Sequence, residues 1–329
     1  MADTLFLWQQ PDWQAEAKVW IRSTLEQNHL KLTGEIEQPH IRQWSTVMTV
    51  PTNAGRLFFK ASSSFLAYEA GLTDYLARFR PEIFPELLAI DIKHHWMLMR
   101  DAGTPLRHFI RSEKSIARWK EVLPLYVEIQ KQMAHHITHL LTLGVMDRRL
   151  AQLPGMFENL IADKSAMLLD QEESLTSEEY ARLRDAGPAF AEMCEKLASF
   201  GIPETLHHDD FHDANIFIRD GRITFTDWGE SAVAHPFFTL VVMMRGVDNS
   251  MGVDYSPEAE QVRDLYLAQW TSYASLEDLK VNAKLAQRIG YVNRALTWKM
   301  TLDEMSEELR AEYAVAVPSY LKDFINDAA

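Results

Sequence analysis

The chain has 329 residues, 47% of them hydrophobic and 24% charged, a balance that excludes intrinsic disorder, collagen-like repeats and small disulfide-stapled scaffolds and leaves room for two lobes. Its 33 Lys and Arg against 47 Asp and Glu give a formal net charge of −14, which argues against a broad electrostatic footprint for nucleic acid. A single cysteine, Cys194, permits neither an internal disulfide nor a cysteine-rich zinc site and fits a reducing compartment.

Met1 to Leu7 carries Asp3 in place of a basic leader, and no apolar run approaches the roughly eighteen residues of a membrane span. A cytoplasmic protein with no membrane partner is expected. Residues 12 to 30 set Trp13, Ala17, Trp20, Ile21 and Leu25 at helical spacing behind Pro11 and Asp12. From Ile41 to Phe59 the pattern turns β-branched and aromatic about an Asn53-Ala54-Gly55 turn, a hairpin whose second strand leads into Lys60. Ser62 to Ser64 can cap a helix carrying Phe65, Tyr68, Leu72, Tyr75 and Leu76, which must stop before Pro81. Strands Leu87 to Ile92 and Trp96 to Met99 complete a small sheet-plus-helix lobe, residues 1–101.

The polar stretch Arg100 to Pro105 reads as a linker into a mainly helical lobe, residues 102–329. Val122, Tyr126, Ile129, Met133, Ile137 and Leu140 trace one long apolar face, kinked or begun at Pro124. Helical patterns recur over 178–200, 259–273, 281–300 and 306–324. The fold class expected is α+β: a small antiparallel-sheet lobe followed by a helical lobe.

One interruption carries the chemistry. Between Leu206 and Trp228, Asp220-Gly221 is a two-residue hairpin signal joining Ile216-Phe217-Ile218 to Ile223-Thr224-Phe225, which sets position 215 opposite 226 and 214 opposite 227. Asn215 and Asp227 become neighbours at its open end, with Asp210 five residues upstream. An amide oxygen and a carboxylate are hard ligands suited to magnesium, and Asp210 supplies a base. Asp209 adds a second acid, but adjacent loop side chains usually point apart and only one of the two can be the base.

His208, Asp210 and Asn215 fall at the H-x-D-x-x-x-x-N spacing of a kinase catalytic loop, and Asp227-Trp228 follows the hairpin. The sequence here resembles the aminoglycoside phosphotransferase and choline kinase-like family of small-molecule kinases, with a protein kinase-like fold. The resemblance continues into His235-Pro236-Phe237-Phe238, similar to the family's Asp-Pro-aromatic stretch. It also takes in Gln43 to Val47, the strand ending in Lys60, Glu69, and the segments 88–91 and 96–101.

This resemblance implies ATP- and Mg²⁺-dependent transfer of a γ-phosphoryl group to a hydroxyl of a small molecule, with GTP the donor in some relatives. Asp210 would accept the hydroxyl proton, and Asn215 and Asp227 would hold the metal. Lys60, oriented by Glu69 or alternatively by Asp74, would bind the α- and β-phosphates. Adenine would lie against Met97 and Met99, its edge read by backbone near Arg100, Asp101 and Ala102. No glycine occurs between Gly34 and Gly55, so a phosphate-covering loop would use Trp44, Ser45 and Thr46.

Two other readings compete: a kinase-shaped nucleotide-binding regulator without catalysis, and a metal-dependent hydrolase built on the cluster His207 to Asp213. His135 and His139 stand at i, i+4 spacing but lack the glutamate of a zinc helix, and surface histidines are expected. The acidic stretch after Thr301, with Trp270 or Trp298, suits a cationic acceptor or, as the plainer reading, a solvated helix face.

Overall fold

The computed structural model describes residues 7–327. Met1 to Phe6, nearly all of the stretch read above for a targeting signal, lie outside the described residues. By its internal contacts the chain divides into two compact units: Met1–Pro105 with Ile216–Gly229, and Leu106–Asn215 with Glu230–Ala329. The sequence pattern places one boundary near residue 101; here the chain also returns to the first unit for one hairpin.

In the first unit, helix α1 (Pro11–Gln27) starts with Pro11 in its first turn and Asp12 beside the positive end of the helix dipole. Its buried stripe of Ala17, Ile21 and Leu25 joins Met48, Val50, Leu57, Phe59, Trp96 and Leu98 in one apolar core. Those side chains come from an antiparallel sheet of β1 (Glu37–Ile41), β2 (Ser45–Thr52), β3 (Gly55–Ser62), β4 (Leu87–Asp91) and β5 (Trp96–Arg100), in the order β1-β2-β3-β5-β4. Strand β1 has no clear sequence signal, because Gln38 and Pro39 break the alternation. As an edge strand with a register shift between Glu37 and His40, it tolerates the proline.

Strand β3 runs on through Lys60 to Ser62. Ser62 to Ser64 do not cap a helix as the pattern suggests. A short 3-10 turn, Ser64–Leu66, comes first, and helix α2 (Glu69–Phe79) follows without a side-chain cap, ending ahead of Pro81.

The hairpin Ile216–Arg219/Arg222–Phe225 has the expected register, with Phe225 opposite Ile216. Asp220 and Gly221 both take positive φ, 51° and 79°, as a two-residue turn matched to strand twist requires. Thr104–Pro105, read as linker, pairs with Phe217 and Ile218. Arg222 donates to the carbonyls of Pro81, Glu82 and Phe84, tying the hairpin to the loop after α2.

The second unit is helical: α3 (Leu106–Glu113), α4 (Trp119–Met133), α5 (Ile137–Thr142), α6 (Leu153–Ala162), α7 (Lys164–Met167), α8 (Ser177–Asp185), α9 (Gly187–Ser199), α10 (Leu240–Met251), α11 (Pro257–Ala268), α12 (Leu276–Asp303), α13 (Glu307–Tyr313) and α14 (Ala316–Asn326). The 28-residue α12 packs against α6, α9, α10, α11 and α14.

Three segments expected to be continuous are broken. The Val122 to Leu140 face is divided between α4 and α5, and α4 runs through Pro124 instead of starting there. The 178–200 segment breaks where Gly187-Pro188 opens a new helix, and the 306–324 segment breaks ahead of Pro318. Among the described residues no helix is long and apolar enough to cross a membrane.

Candidate active site

The first unit supplies a clamped lysine. Lys60 lies on β3 between Val47 and Met97, with its side chain 11% exposed and Nζ 2.5 Å from both Glu69 Oε1 and Asp227 Oδ1. Burial opposes its charge, but Asp227 and Glu69 outweigh that and raise its pKa above the ordinary lysine value. Glu69 opens α2, where the helix dipole favours an anion, and its other oxygen accepts a 2.5 Å bond from the Ser62 hydroxyl.

The 3-10 turn at 64–66 closes the nine-residue interval between Lys60 and Glu69. The alternative partner, Asp74, is instead paired with Arg78 one turn along α2.

Asp227 follows the hairpin in the left-handed region, φ 64°, and its side chain keeps half its exposure. Trp228 is fully buried against Phe84, ring centres 5.3 Å apart. A Cβ on Gly229 would stand 3.1 Å from Glu69 Oε2, and the Tyr68 hydroxyl donates to the Gly229 carbonyl. The segment after Asp227 is thereby fixed against the start of α2.

The remaining first-unit candidates are less available. Thr46 is fully buried, its hydroxyl donating to the His40 carbonyl and accepting from Gln38, and Ser45 is also buried. The Thr46 hydroxyl is committed to the sheet, which departs from the expected role of a phosphate-covering side chain. Asp101 accepts from Arg56 and from the Gly103 backbone. Met97 is buried, and Met99 on the same face of β5 is partly exposed.

The second unit supplies the loop. It leaves strand Thr205–His207, which pairs with Ala232–Ala234. Phe211 anchors it by stacking on Tyr126 at 3.7 Å, while the Tyr126 hydroxyl accepts from the His208 backbone.

Asp209 is buried and saturated: its carboxylate accepts from His207 at 2.9 Å, Asn293 at 2.7 Å and Arg294 at 3.2 Å. Asp210 keeps a side-chain exposure of 27%. Its Oδ1 meets Arg294 Nη2 at 3.2 Å, and its Oδ2 meets Asn215 Nδ2 at 3.1 Å and His212 Nε2 at 3.3 Å. Burial would raise the Asp210 carboxyl, but the His212 bond and the Arg294 charge hold it well below the ordinary carboxylate range.

Contrary to the expectation that neighbouring loop acids point apart, both aspartates meet one guanidinium. What separates them is saturation and exposure: Asp209 is closed off by its partners, while Asp210 keeps an exposed edge. Nearby, Asp213 is fixed by Arg107 at 2.7 Å and by the Ser250 hydroxyl.

His207 and His208 are buried within this network, and among the described residues no group of three or more His, Cys, Asp and Glu side chains is placed to hold a metal ion. The hydrolase reading gains nothing from that placement. His135 and His139 are exposed, Trp270 is fully buried, and Trp298 stacks on Tyr313.

Sequence spacing misses Ser62, Gly229, Glu230, Asn293 and Arg294. Only the last two leave a trace, as a polar pair inside the buried run Val292–Thr297 of α12.

Against this geometry, similarity to known proteins can be stated. No curated protein matches the chain in sequence. Among solved structures, a mutant of aminoglycoside 2′-phosphotransferase IIIa in complex with GDP superposes with a TM-score of 0.61 at 12% identity, covering 94% of this chain and 97% of that one. An ethanolamine kinase from Plasmodium vivax gives 0.61 at 13% identity, covering 92% and 84%. The choline kinase LicA from Streptococcus pneumoniae gives 0.58 at 12%, covering 94% and 99%. Identities this low speak to the fold alone, which is kinase-like. The sequence itself goes further: the model of the phosphotransferase enzyme family matches residues 46–279, most of the chain, and the protein belongs to that family.

Proposed function

We propose that the protein transfers the γ-phosphoryl group of ATP, as its magnesium complex, to a hydroxyl of a small molecule. The observation that carries this reading is Lys60, buried on its strand and held 2.5 Å from both Glu69 and Asp227. A buried cation locked by a helix-borne glutamate is what α- and β-phosphates require, since phosphoryl transfer is catalysed mainly by positioning and counter-charge. In this reading the first unit binds the nucleotide, with adenine against Met99 and the backbone near Asp101, and the second presents the acceptor to Asp210. GTP stands as the alternative donor, because one structure of similar fold is a GDP complex.

Asn215 and Asp227 flank the open end of the hairpin and offer only hard oxygen ligands, with Asp227 half exposed, so the donor set suits Mg²⁺. Asn215 and Asp227 would hold the metal, whose charge would offset that of the phosphates. Asp210 would orient the acceptor hydroxyl and take its proton, and Asn215, bonded to Asp210 through Nδ2, would keep base and ligand in register.

The test is a transfer assay with labelled ATP against aminoglycosides, macrolides, choline, ethanolamine, homoserine, sugars and nucleosides. Asp210→Ala should cut kcat at least about 100-fold and leave nucleotide binding intact, whereas Asp227→Ala should weaken Mg·ATP binding itself. Unimpaired turnover in both variants overturns the assignment. Tight Mg·ATP binding without transfer to any alcohol would favour the regulatory module instead.

A further inference from the structure

We propose that Arg294 is the positioning residue of the reaction, the group that selects Asp210 over Asp209 as the base and aims its carboxylate. The inference rests on the phosphotransfer reading above and extends it to a residue 84 positions beyond the loop. Arg294 lies on α12 with its side chain 7% exposed. One nitrogen, Nη1, donates to Asp209 Oδ2 and to the Asp209 carbonyl, each at 3.2 Å, and also pairs with Glu230. The other, Nη2, reaches Asp210 Oδ1 at 3.2 Å.

The planar fork therefore has one prong on each aspartate. Asp209 is further closed off by His207 and Asn293, so it is a fixed strut, while Asp210 receives a single prong and retains its exposed edge. Three carboxyl groups meet one guanidinium, so removing Arg294 leaves Asp209 and Asp210 facing each other with no guanidinium between them. A lysine at this place keeps the charge but has no second prong in a fixed plane. Because His212 and Asn215 both act on Oδ2, the Arg294 contact on the opposite oxygen, Oδ1, fixes the rotation of the carboxylate.

Arg294→Lys and Arg294→Met decide the matter. Arg294→Lys is expected to fold, to keep KM for Mg·ATP within about twofold, and to lose about 10- to 100-fold in kcat, the cost of a misaimed group. In a crystal structure of Arg294→Met the Asp210 carboxylate should be turned out of the plane it holds in the wild-type chain, with Asp209 still bound by His207 and Asn293. Wild-type kcat in the lysine variant overturns the proposal. So does a kcat loss matched by an equal rise in nucleotide KM and a fall in Tm, which would mark Arg294 as a scaffold only. An Asp210 carboxylate left unmoved in that structure also overturns it. If Arg294→Met fails to fold, the lysine variant decides alone. If the wild-type chain transfers no phosphoryl group, the proposed function falls, and the orientation of the Asp210 carboxylate, which needs no turnover, still judges Arg294.

Discussion

Replacing Lys60 by Met keeps a similar side-chain volume in a chain one atom shorter, so little space opens, but it strips the buried Glu69 of its counter-ion. Glu69 is 1% exposed, and an unpaired buried carboxylate relieves itself by taking up a proton. That escape limits the cost. Neutralising a carboxyl whose ordinary value is 4.5 costs about 1.4 kcal/mol for each pH unit above it, which caps the deficit at about 3.4 kcal/mol at pH 7, since burial already raises the Glu69 carboxyl while Lys60 is in place.

The sign is fixed by the same reasoning. In the variant the folded-state pKa of Glu69 lies above its unfolded value, so the penalty is absent below about pH 4.5 and grows as the pH rises. Urea unfolding at pH 7.5, 6.5, 5.5 and 4.5 should therefore show the Lys60→Met deficit shrinking toward zero. The double variant Lys60→Met/Glu69→Gln should recover most of the loss at pH 7 without recovering activity. A deficit of equal size at every pH, or one untouched by the second substitution, would refute the buried-pair reasoning.

Further outcomes follow from other sites. Burial and the nearby His207 push the fully buried His235 imidazole down to about 3, against an ordinary value of 6.5. Its contribution is complete above pH 6.5 and is lost as pH falls, by about 2.7 kcal/mol at pH 4.5. His235→Asn should flatten that part of the acid-unfolding curve, and an unchanged slope would contradict the assignment. A Cβ on Gly246 would meet His212 Cβ at 2.8 Å. Gly246→Ala should gain helix propensity yet lose more to overpacking, about 1 kcal/mol net. Because His212 bonds Asp210, kcat should fall about tenfold or more; calorimetry and steady-state kinetics read the two effects separately.

The loop and its hairpin were legible because their signals are local. The spacing of His208, Asp210 and Asn215 survives any tertiary context, and Asp220-Gly221 specifies both the turn and the register of Ile216 against Phe225. Lys60 and Glu69 were harder, since a nine-residue interval looks too short until the 3-10 turn at 64–66 is seen to fold it back. Arg294 could not be located, because nothing on a helix 84 residues downstream shows which loop its guanidinium will meet. Thr46 misleads for a related reason: a hydroxyl in a candidate phosphate loop and one satisfying a neighbouring strand carbonyl look the same in sequence. Edge strands and helix breaks were missed where Pro39, Pro188 and Pro318 override periodicity that otherwise reads as continuous.

The first unit is made of two stretches of chain separated by the whole of Leu106–Asn215. During synthesis its five-stranded sheet emerges early, yet the hairpin that brings Asp227 to Lys60 leaves the ribosome on the order of ten seconds later, at ordinary elongation rates. Until then Lys60 and Glu69 have lost their third partner, and the loop after α2 lacks the arginine that binds its carbonyls. A nascent chain stalled before residue 216 should be more open to protease around residues 80–86 than one released past residue 229, so that the clamp on Lys60 is completed late and all at once.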